Sequence, residues 1–377
     1  MRVVVFLSGY LPAQDYGGPV RSFANLAERL GDRIEIFIVA GEHEFRKTER
    51  LPGLREGWNE VGKAKVLYLP DAAFTKARFS AVLSEIRPDL VYLSSIFSYH
   101  LTYSALRAAK AAKIPIILAP RGELDARALQ RRAPKKRIFL GLMKRFGVYR
   151  GVCFHATCEE EGKAVREILR AKDVAILPNL PALPEHKTSN EKQAGRLRVC
   201  SIARILPNKN QLLSIQAAAA AGTAVELDLY GPIEDREYWS SCEEAMKAAG
   251  SVRIRYCGKL RPEEVGPTLL RYDCFLLPTI FENYCHSIAE ALLHDCPVII
   301  SRGTTPWDGV AEAGCGWTVP LDRPEGLREA LLEAASLDRE EYAALLQRLR
   351  VFCDGIFQTD ALEQAYLELF RRVAGKD

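Results

Sequence analysis

The stretch that decides the fold runs from residue 274 to residue 300 and reads CFLLPTIFENYCHSIAEALLHDCPVII. It contains an apolar run, a polar loop, a periodic apolar segment and a second apolar run. In the periodic segment, Ile288, Ala291 and Leu292 fall at positions i, i+3 and i+4 and form one buried stripe of a helix. The pattern therefore predicts the order strand, loop, helix, strand.

Two carboxylates belong to this turn between strand and helix. Glu282 lies in the loop, and Glu290 lies on the helix, facing away from the apolar stripe. The start of a helix also offers free N–H groups and the positive end of its dipole. The turn therefore suits an anionic ligand that also carries sugar hydroxyls, whereas the plain alternative is a loop acid and a solvated helix acid.

Length and composition limit the class of protein. A chain of 377 residues favours two domains, and 48% hydrophobic with 27% charged residues is typical of a soluble globular protein. The net charge of +4 is too small to indicate a nucleic-acid partner. The apolar run at positions 2–8 is too short to span a bilayer and no signal-peptide pattern follows it, so we expect a cytoplasmic protein.

The cysteines do not indicate a metal centre. The ten cysteines contain no CxxC pair, and no histidine pair stands at the spacing of zinc ligands. Buried free thiols in a reducing compartment are the simpler interpretation. We therefore expect no bound metal.

Short apolar runs alternate with helical patterns in both halves of the chain. The predicted strands lie at 2–8, 34–40, 66–69, 90–93 and 115–119, and at 197–203, 225–230, 252–257, 274–277, 298–301 and 317–319. This alternation predicts an α/β fold with two doubly wound parallel sheets, whose ligands bind at the carboxyl ends of the strands. We place the domains at residues 1–180 and 196–358, with a polar, proline-containing linker at 181–195.

A glycine pair follows the first strand. Gly17 and Gly18 let the backbone approach a phosphate closely, and Pro19 suits the first turn of a helix. A plain turn is one alternative. A nicotinamide-binding site is another, because Glu42 follows the second strand, although a Gly-Gly pair lacks the spacing of the G-x-G-x-x-G fingerprint.

Other candidate side chains follow later strands. His100 and Arg121 lie in loops after the strands at 90–93 and 115–119, where they either contact a ligand or are hydrogen-bonded loop residues. In the second half, Arg204 and Lys209 share one loop, and both can reach a diphosphate, the arginine as a fork and the lysine as a point charge. Surface charges that only aid solubility are the alternative for this pair.

Residues 121–150 carry the strongest charge anomaly. Ten basic residues stand against only two acidic ones, interleaved with the apolar residues Ile138, Phe139, Leu142, Met143 and Phe146. Such a stretch suits an anionic membrane surface or an acceptor with a pyrophosphate group. A solvated helix face is the alternative, and RNA binding is disfavoured because no aromatic stacking module accompanies the charge.

Taken in order, these motifs resemble those of retaining GT-B glycosyltransferases of family 4. The resemblance is carried by the Glu-x7-Glu pair of Glu282 and Glu290, by Arg204 with Lys209, by Gly17-Gly18, and by segments at 120–124, 154–161, 177–179, 305–307 and 313–319. It implies two Rossmann-like domains facing a central cleft, with a last helix at about 359–377 that returns to the first domain. Cys285 and Asp295 depart from the pattern, because the family usually has glycine at both positions.

The resemblance also implies roles for individual residues. Donor binding is implied for Gly17, Gly18, Arg204, Lys209, Glu282, Asn283, Tyr284 and Glu290, and a catalytic role for Glu282, Arg204, Lys209, Arg121 and His100. In the family the first acid lies beside the donor sugar and the second holds the ribose. No cofactor or metal is implied beyond the nucleotide diphosphate sugar itself.

The expected function is therefore a retaining, hexosyltransferase-type glycosyltransferase. It would move a sugar from a UDP- or GDP-linked donor to a glycan or a polyprenyl-diphosphate-linked acceptor in cell-surface polysaccharide biosynthesis, at the inner face of the cell membrane. Three alternatives stay open: a sugar-nucleotide epimerase, a catalytically inactive membrane-surface scaffold, and a nicotinamide dehydrogenase.

Overall fold

The computed structural model describes residues 1–125, 128–129, 133–187 and 192–376. The chain divides into two compact units, Met1–Leu180 with Thr359–Asp377, and Pro181–Gln358. Each unit is built on its own sheet, with a separate apolar core on each face of that sheet. The predicted α/β class with two mainly parallel sheets is confirmed.

The sheet of the first unit has eight strands. They are β1 Arg2–Phe6, β2 Glu35–Gly41, β3 Trp58–Val61, β4 Ala64–Leu69, β5 Leu90–Ser94, β6 Ile116–Ala119, β7 Val152–Ala156 and β8 Val174–Ile176. Their order is β3-β4-β2-β1-β5-β6-β7-β8, and β3 alone pairs in the antiparallel sense with its neighbour in this sheet. The strand order reverses between β1 and β5, and the carboxyl ends of the strands at such a reversal are where doubly wound sheets bind ligands.

Among the described residues, five helices of the first unit connect these strands. They are α1 Gly18–Leu30, α2 Lys76–Ile86, α3 Ser104–Ala111, α4 Ala133–Arg145 and α5 Glu159–Leu169. Residues of α1 belong to the core on one face of the sheet, and residues of α2 to α5 belong to the core on the other. The buried residues of α1, among them Phe23, Leu26 and Leu30, give this helix one apolar face.

The sheet of the second unit has six strands, all parallel. They are β9 Leu197–Ile202, β10 Val225–Tyr230, β11 Ile254–Tyr256, β12 Cys274–Leu277, β13 Val298–Ser301 and β14 Trp317–Val319, in the order β11-β10-β9-β12-β13-β14. The helices are α6 Gln211–Ala221, α7 Arg236–Ala248, α8 Pro262–Leu269, α9 His286–Leu293, α10 Gly309–Glu312, α11 Glu325–Ser336 and α12 Arg339–Phe357. In this sheet the order reverses between β9 and β12.

The last helix, α13 Thr359–Ala374, belongs to the first unit. Tyr366 and Phe370 are buried in the core that also contains residues of α1. The carboxylate of Glu363 lies 2.6 Å from Arg29 Nε, and both side chains are less than a tenth exposed. Apolar burial and a desolvated ion pair therefore hold α13 in place.

Three strands, β3, β7 and β8, were not predicted from the sequence. β3 and β8 are edge strands of four and three residues. β3 reads WNEV and lacks the continuous apolar run that marks a buried parallel strand, whereas β8 is an apolar run of only three residues. β7 is fully buried, but it is short and follows the basic stretch directly.

Candidate active site

Two loops meet at the strand reversal of the second unit. The Asn208 carbonyl, in the loop after β9, accepts hydrogen bonds from the N–H of Ile280 and the hydroxyl of Thr279, both at 2.8 Å. The Asn208 side-chain amide donates to the carbonyl of Phe281 at 2.9 Å. Because β9 and β12 are neighbouring parallel strands, their carboxyl ends bring these loops side by side.

Lys209 and Glu282 form an ion pair between the same two loops. Lys209 Nζ lies 2.5 Å from Glu282 Oε1, and the amide nitrogen of Asn208 donates to that oxygen at 3.2 Å. The Lys209 side chain is 10% exposed and that of Glu282 is 21% exposed, so each charge is partly desolvated and depends on the other. The backbone N–H of Glu282 donates to the carbonyl of Thr304 at 2.8 Å, which holds the loop behind the carboxylate.

Arg204 lies on the same loop as Lys209 but contacts a different carboxylate. Its Nη1 lies 3.1 Å and 3.3 Å from the two carboxylate oxygens of Glu234, in the loop after β10. The Arg204 side chain is 42% exposed, and an exposed pair of this kind contributes little to stability. The guanidinium can therefore leave Glu234 for an anionic ligand at small cost.

Glu290 is buried on α9 and is therefore not a solvated helix acid. The side chain is 6% exposed, and every residue from Ile288 to Leu293 is buried. The helix α9 contacts β12 and β13 as well as α8 and α12. The stripe of Ile288, Ala291 and Leu292 is buried as predicted, and Glu290 is buried as well, because neighbouring elements enclose the helix on more than one side.

Tyr284 lies beside Glu290 at the start of this helix. Burial, and then the negative charge of Glu290, raise the pKa of Tyr284. The indole N–H of Trp307 donates to the Tyr284 carbonyl, and the two rings pack with their centroids 5.2 Å apart. Asn283, by contrast, stays half-buried in the loop. Tyr284 thus anchors the loop in the core while Glu282 and Asn283 remain accessible.

Cys285 and Asp295 both adopt left-handed backbone conformations, with φ of 61° and 49°. These are the two positions at which the resembling family usually has glycine, and glycine adopts this conformation without a steric cost. Asp295 is stabilised by its side chain, which lies 2.6 Å from Arg350 Nη2 and accepts the N–H of Lys187 at 2.9 Å. Both positions therefore adopt the backbone conformation that glycine favours, although neither is glycine.

In the first unit, Gly17 and Gly18 lie at the start of α1. Gly17 has φ of 77° and ψ of −141°, and Gly18 is the first residue of the helix. A Cβ on Gly17 would meet no atom within 4 Å, so the backbone conformation, not space, favours glycine there. The preceding loop is held by Glu44, whose carboxylate accepts the N–H groups of Gln14 and Asp15 at 3.0 and 2.9 Å.

Arg121 follows β6 and turns into the body of the first unit. Its Nη1 donates to the side-chain oxygen of Asn179, and its guanidinium lies 5.1 Å from the ring centroid of Phe23. Within the described part of the chain, its buried Nε has no hydrogen-bond partner. Burial, and then the charge of Arg121, lower the pKa of the buried His155 to about 3.

His100 lies in an exposed turn after β5, with its ring 5.4 Å from that of Tyr99. The carboxylate of Glu123 fixes the segment before this turn. It accepts hydrogen bonds from the Ser95 hydroxyl at 2.7 Å and from the Ile96 N–H at 2.6 Å. Burial raises the pKa of the Glu123 carboxyl, which those hydrogen bonds then lower in part. The roles of His100, Arg121, Gly17 and Gly18 stay predictions.

Three residues are important through contacts across the fold and were not predicted from the sequence. Asn208 joins the two loops, Glu234 pairs with Arg204, and Glu123 holds the backbone after β5. Asn208 had a usable signal, because a polar residue beside a candidate lysine at a strand end is well placed for a ligand. Glu234 and Glu123 had none, since their partners lie about thirty residues away.

Neither a metal cluster nor a membrane span is found among the described residues. No group of three or more histidine, cysteine, aspartate or glutamate side chains there could hold a metal ion. Within the same ranges, no helix is both long and apolar enough to cross a bilayer.

Family comparisons cover most of the chain. The family described as "Glycosyl transferases group 1" matches residues 183–350, and the family described as "Glycosyl transferase 4-like domain" matches residues 17–179. No curated protein matches the sequence significantly.

Several solved structures have folds similar to that of this chain. Sucrose-phosphate synthase from Thermosynechococcus elongatus is 14% identical with a TM-score of 0.74, and the match covers 100% of both chains. Anabaena HepE in complex with UDP and glucose is 15% identical with a TM-score of 0.72, covering 99% of this chain and 100% of that one. A glycosyltransferase from Rickettsia africae is 11% identical with a TM-score of 0.73, covering 100% and 99%.

At these identities the structural likenesses show the fold alone, and the fold is GT-B, as the resemblance implied. The two family matches lie one in each unit and together span most of the sequence. The chain belongs to the group 1 family of GT-B glycosyltransferases.

Proposed function

We propose that this protein is a retaining glycosyltransferase that transfers a hexose from a UDP- or GDP-linked donor. Its acceptor would be a glycan or a polyprenyl-diphosphate-linked sugar, in cytoplasmic steps of cell-surface polysaccharide biosynthesis. Family membership supports the reaction class. Structures of a protein with the same fold were solved with UDP, with UDP-glucose, and with UDP and glucose, which supports a nucleotide-sugar donor.

The observation that carries the proposal is the Lys209–Glu282 pair at the strand reversal. When the bond between sugar and diphosphate breaks, negative charge develops on the leaving phosphate oxygen. A partly desolvated ammonium at that position, together with the guanidinium of Arg204, stabilises this charge, and such preorganised electrostatics supply several kcal/mol of barrier lowering. No metal ion is needed for that contribution.

The acids have separate roles in this proposal. The diphosphate competes with Glu282 for Lys209, and Glu282 then turns its carboxylate to the hydroxyls of the donor sugar. Glu290, enclosed beside Tyr284, binds the ribose hydroxyls of the nucleotide. No carboxylate is assigned as a nucleophile, which agrees with attack by the acceptor on the face that the diphosphate leaves.

Thermal unfolding with UDP, GDP and a panel of their sugars tests the proposal first. A ligand at one hundred times its Kd should add about 2.7 kcal/mol to the stability of the folded protein. With the donor identified, Glu282→Ala should lower kcat more than nucleotide affinity, because Lys209 stays available to the diphosphate. Glu290→Ala should mainly weaken nucleotide binding.

Glu243→Ala, which removes an exposed acid from α7, is the matched control and should behave as wild type. Incubation with the donor alone distinguishes the epimerase, which would interconvert the sugar. The assignment is wrong if no nucleotide stabilises the protein, or if both glutamate variants retain wild-type kinetics.

A further inference from the structure

The helix α4 exposes an apolar stripe. Ile138, Leu142 and Phe146 are 64%, 46% and 72% exposed. They stand four residues apart and so lie along one face of the helix and its C-terminal extension. The buried residues Leu140 and Met143 lie on the opposite side, so α4 is packed into its unit and still presents a second apolar face.

Basic side chains surround this stripe. Residues 133–150 contain six basic residues and no acidic residue. Lys135, Arg137, Lys144 and Arg145 are exposed, and with the described residues they form no ion pair. The neighbouring Arg127, Arg131 and Arg132 of the same basic stretch lie outside the described residues.

A groove continues the basic surface. It has a volume of about 1030 Å³ and runs between the C-terminal end of α4, the start of β7 and the connection from α5 to β8. We call it the basic groove, after its five cationic lining residues: Lys144, Arg145, Arg150, Arg170 and Lys172. Its lining contains one acid, Asp173, which already lies 3.1 Å from Arg372. The charge of the groove is therefore largely uncompensated by the protein.

The basic groove is remote from the candidate site residues of its unit. Val152, the first residue of β7, lines it, whereas Arg121 follows the last residue of the parallel neighbour β6. Val152 pairs in register with Ile116 at the amino end of β6. The groove thus lies at the amino ends of these strands, whereas Arg121 lies at their carboxyl ends. Donor binding therefore does not account for the groove.

We infer that the α4 stripe and the basic groove form one docking surface for a bilayer of anionic lipids. The groove cations attract the lipid headgroups, and Ile138, Leu142 and Phe146 enter the boundary between headgroups and acyl chains. Charge complementarity decides the occupant. A nucleic acid would gain nothing from the exposed aliphatic side chains, and a neutral protein surface would leave five cations without partners. This inference stands whether or not the proposed sugar transfer is correct.

Flotation with lipid vesicles tests the inference on the full-length protein. We expect binding to phosphatidylglycerol-containing vesicles, none to pure phosphatidylcholine, and a steep loss of binding at high salt because exposed charges are then screened. Phe146→Ser combined with Leu142→Ser, and separately Lys144→Glu combined with Arg145→Glu, should each lower the partition coefficient by at least about tenfold.

Matched controls exist on the second unit. Val351→Ser removes an apolar side chain that is 72% exposed, the same as Phe146. Arg236→Glu with Lys247→Glu reverses two exposed charges on α7. Neither control should change vesicle binding, and circular dichroism with thermal unfolding verifies that every variant is folded.

Three results would overturn the inference: equal partition onto neutral and anionic vesicles, no partition onto either, or folded stripe and groove variants that bind like wild type. Preference for an oligonucleotide over anionic vesicles at equal salt would overturn it as well, in favour of a nucleic-acid surface.

Discussion

Lys209 donates a 2.5 Å hydrogen bond to Glu282, and this contact joins residues 73 positions apart in the sequence. It links the loop after β9 to the loop after β12 at the strand reversal of the second unit. The pair holds both loops together. A diphosphate at the same place would take over the ammonium, so one lysine contributes both to stability and to ligand binding.

Replacement of Lys209 should therefore reduce both the stability of the protein and its activity with the ligand. Lys209→Met keeps the volume of the side chain but removes the charge, which leaves the partly buried Glu282 carboxylate with fewer partners. We expect a loss of about 1–2 kcal/mol in the free energy of unfolding and at least about a hundredfold loss in kcat/KM. Urea unfolding and steady-state kinetics measure the two effects.

Lys247→Met is the control, because Lys247 is exposed on α7. Adding Glu282→Gln to Lys209→Met completes a double-mutant cycle. A coupling energy near zero would show that the contact between Lys209 and Glu282 does not stabilise the protein.

Glu234 competes with any anion for Arg204, since its carboxylate lies 3.1 Å from the guanidinium. Glu234→Gln removes this competing charge and should raise nucleotide diphosphate affinity by up to about fivefold, which corresponds to the roughly 0.2–1 kcal/mol of an exposed ion pair. Isothermal titration calorimetry with the diphosphate of the preferred nucleotide gives the affinity.

The control for this change is Glu226→Gln. Glu226 has the same exposure as Glu234 and also pairs with an arginine, Arg196, at 2.8 Å. Weaker binding by Glu234→Gln would mean that Glu234 positions Arg204 for the ligand and does not compete with it.

Asp295 should contribute stability that depends on its charge. Burial raises the pKa of Asp295. The hydrogen bonds from Arg350 and from the Lys187 N–H lower it by more than burial raises it, so the pKa lies below the ordinary value. The contribution is therefore complete above about pH 4 and is lost as the pH falls through the lowered pKa of the folded state. Asp295→Asn should cost about 2 kcal/mol at pH 7, and less at pH 3.

Urea unfolding at both pH values measures this difference. Asp322→Asn, at an exposed aspartate, should change stability by less than about 0.5 kcal/mol at either pH. An equal cost for Asp295→Asn at pH 7 and pH 3 would contradict the charge-dependent role.

In the first unit, His155 makes the range between about pH 3 and pH 6.5 informative. It is held neutral, with a pKa lowered to about 3 by burial and by Arg121, while the unfolded chain takes up a proton near pH 6.5. Its contribution is complete above pH 6.5 and falls by up to about 1.4 kcal/mol per pH unit between there and about pH 3.

His155→Gln can still accept from Tyr92 and donate to the carbonyl of Leu177, as the imidazole does. It should therefore fold, with a dependence of unfolding free energy on pH that is shallower by about one proton below pH 6. His100→Gln, at an exposed histidine, should leave that slope as it is in wild type. An unchanged slope in His155→Gln would show that His155 is protonated in the folded protein.

Local patterns anticipated much of the architecture. The strand, loop and helix around Glu282 could be predicted because burial of parallel strands produces continuous apolar runs and α9 follows a polar loop. The edge strand Trp58–Val61 could not, because its sequence, WNEV, contains no continuous apolar run. The enclosure of Glu290 was missed for a related reason: apolar periodicity describes one face of a helix and not how many neighbours cover it.

The sequence by itself determined the order of most strands and the positions of Arg204, Lys209 and Glu282 at the ends of strands, because these depend on interactions between residues close in the chain. Only the tertiary structure decided which charges pair, so that Lys209 contacts Glu282 while Arg204 contacts Glu234. It also decided that the left-handed backbone at Asp295 is stabilised by Arg350. Such pairings depend on how strands and helices pack across long sequence separations, and no local pattern encodes that packing.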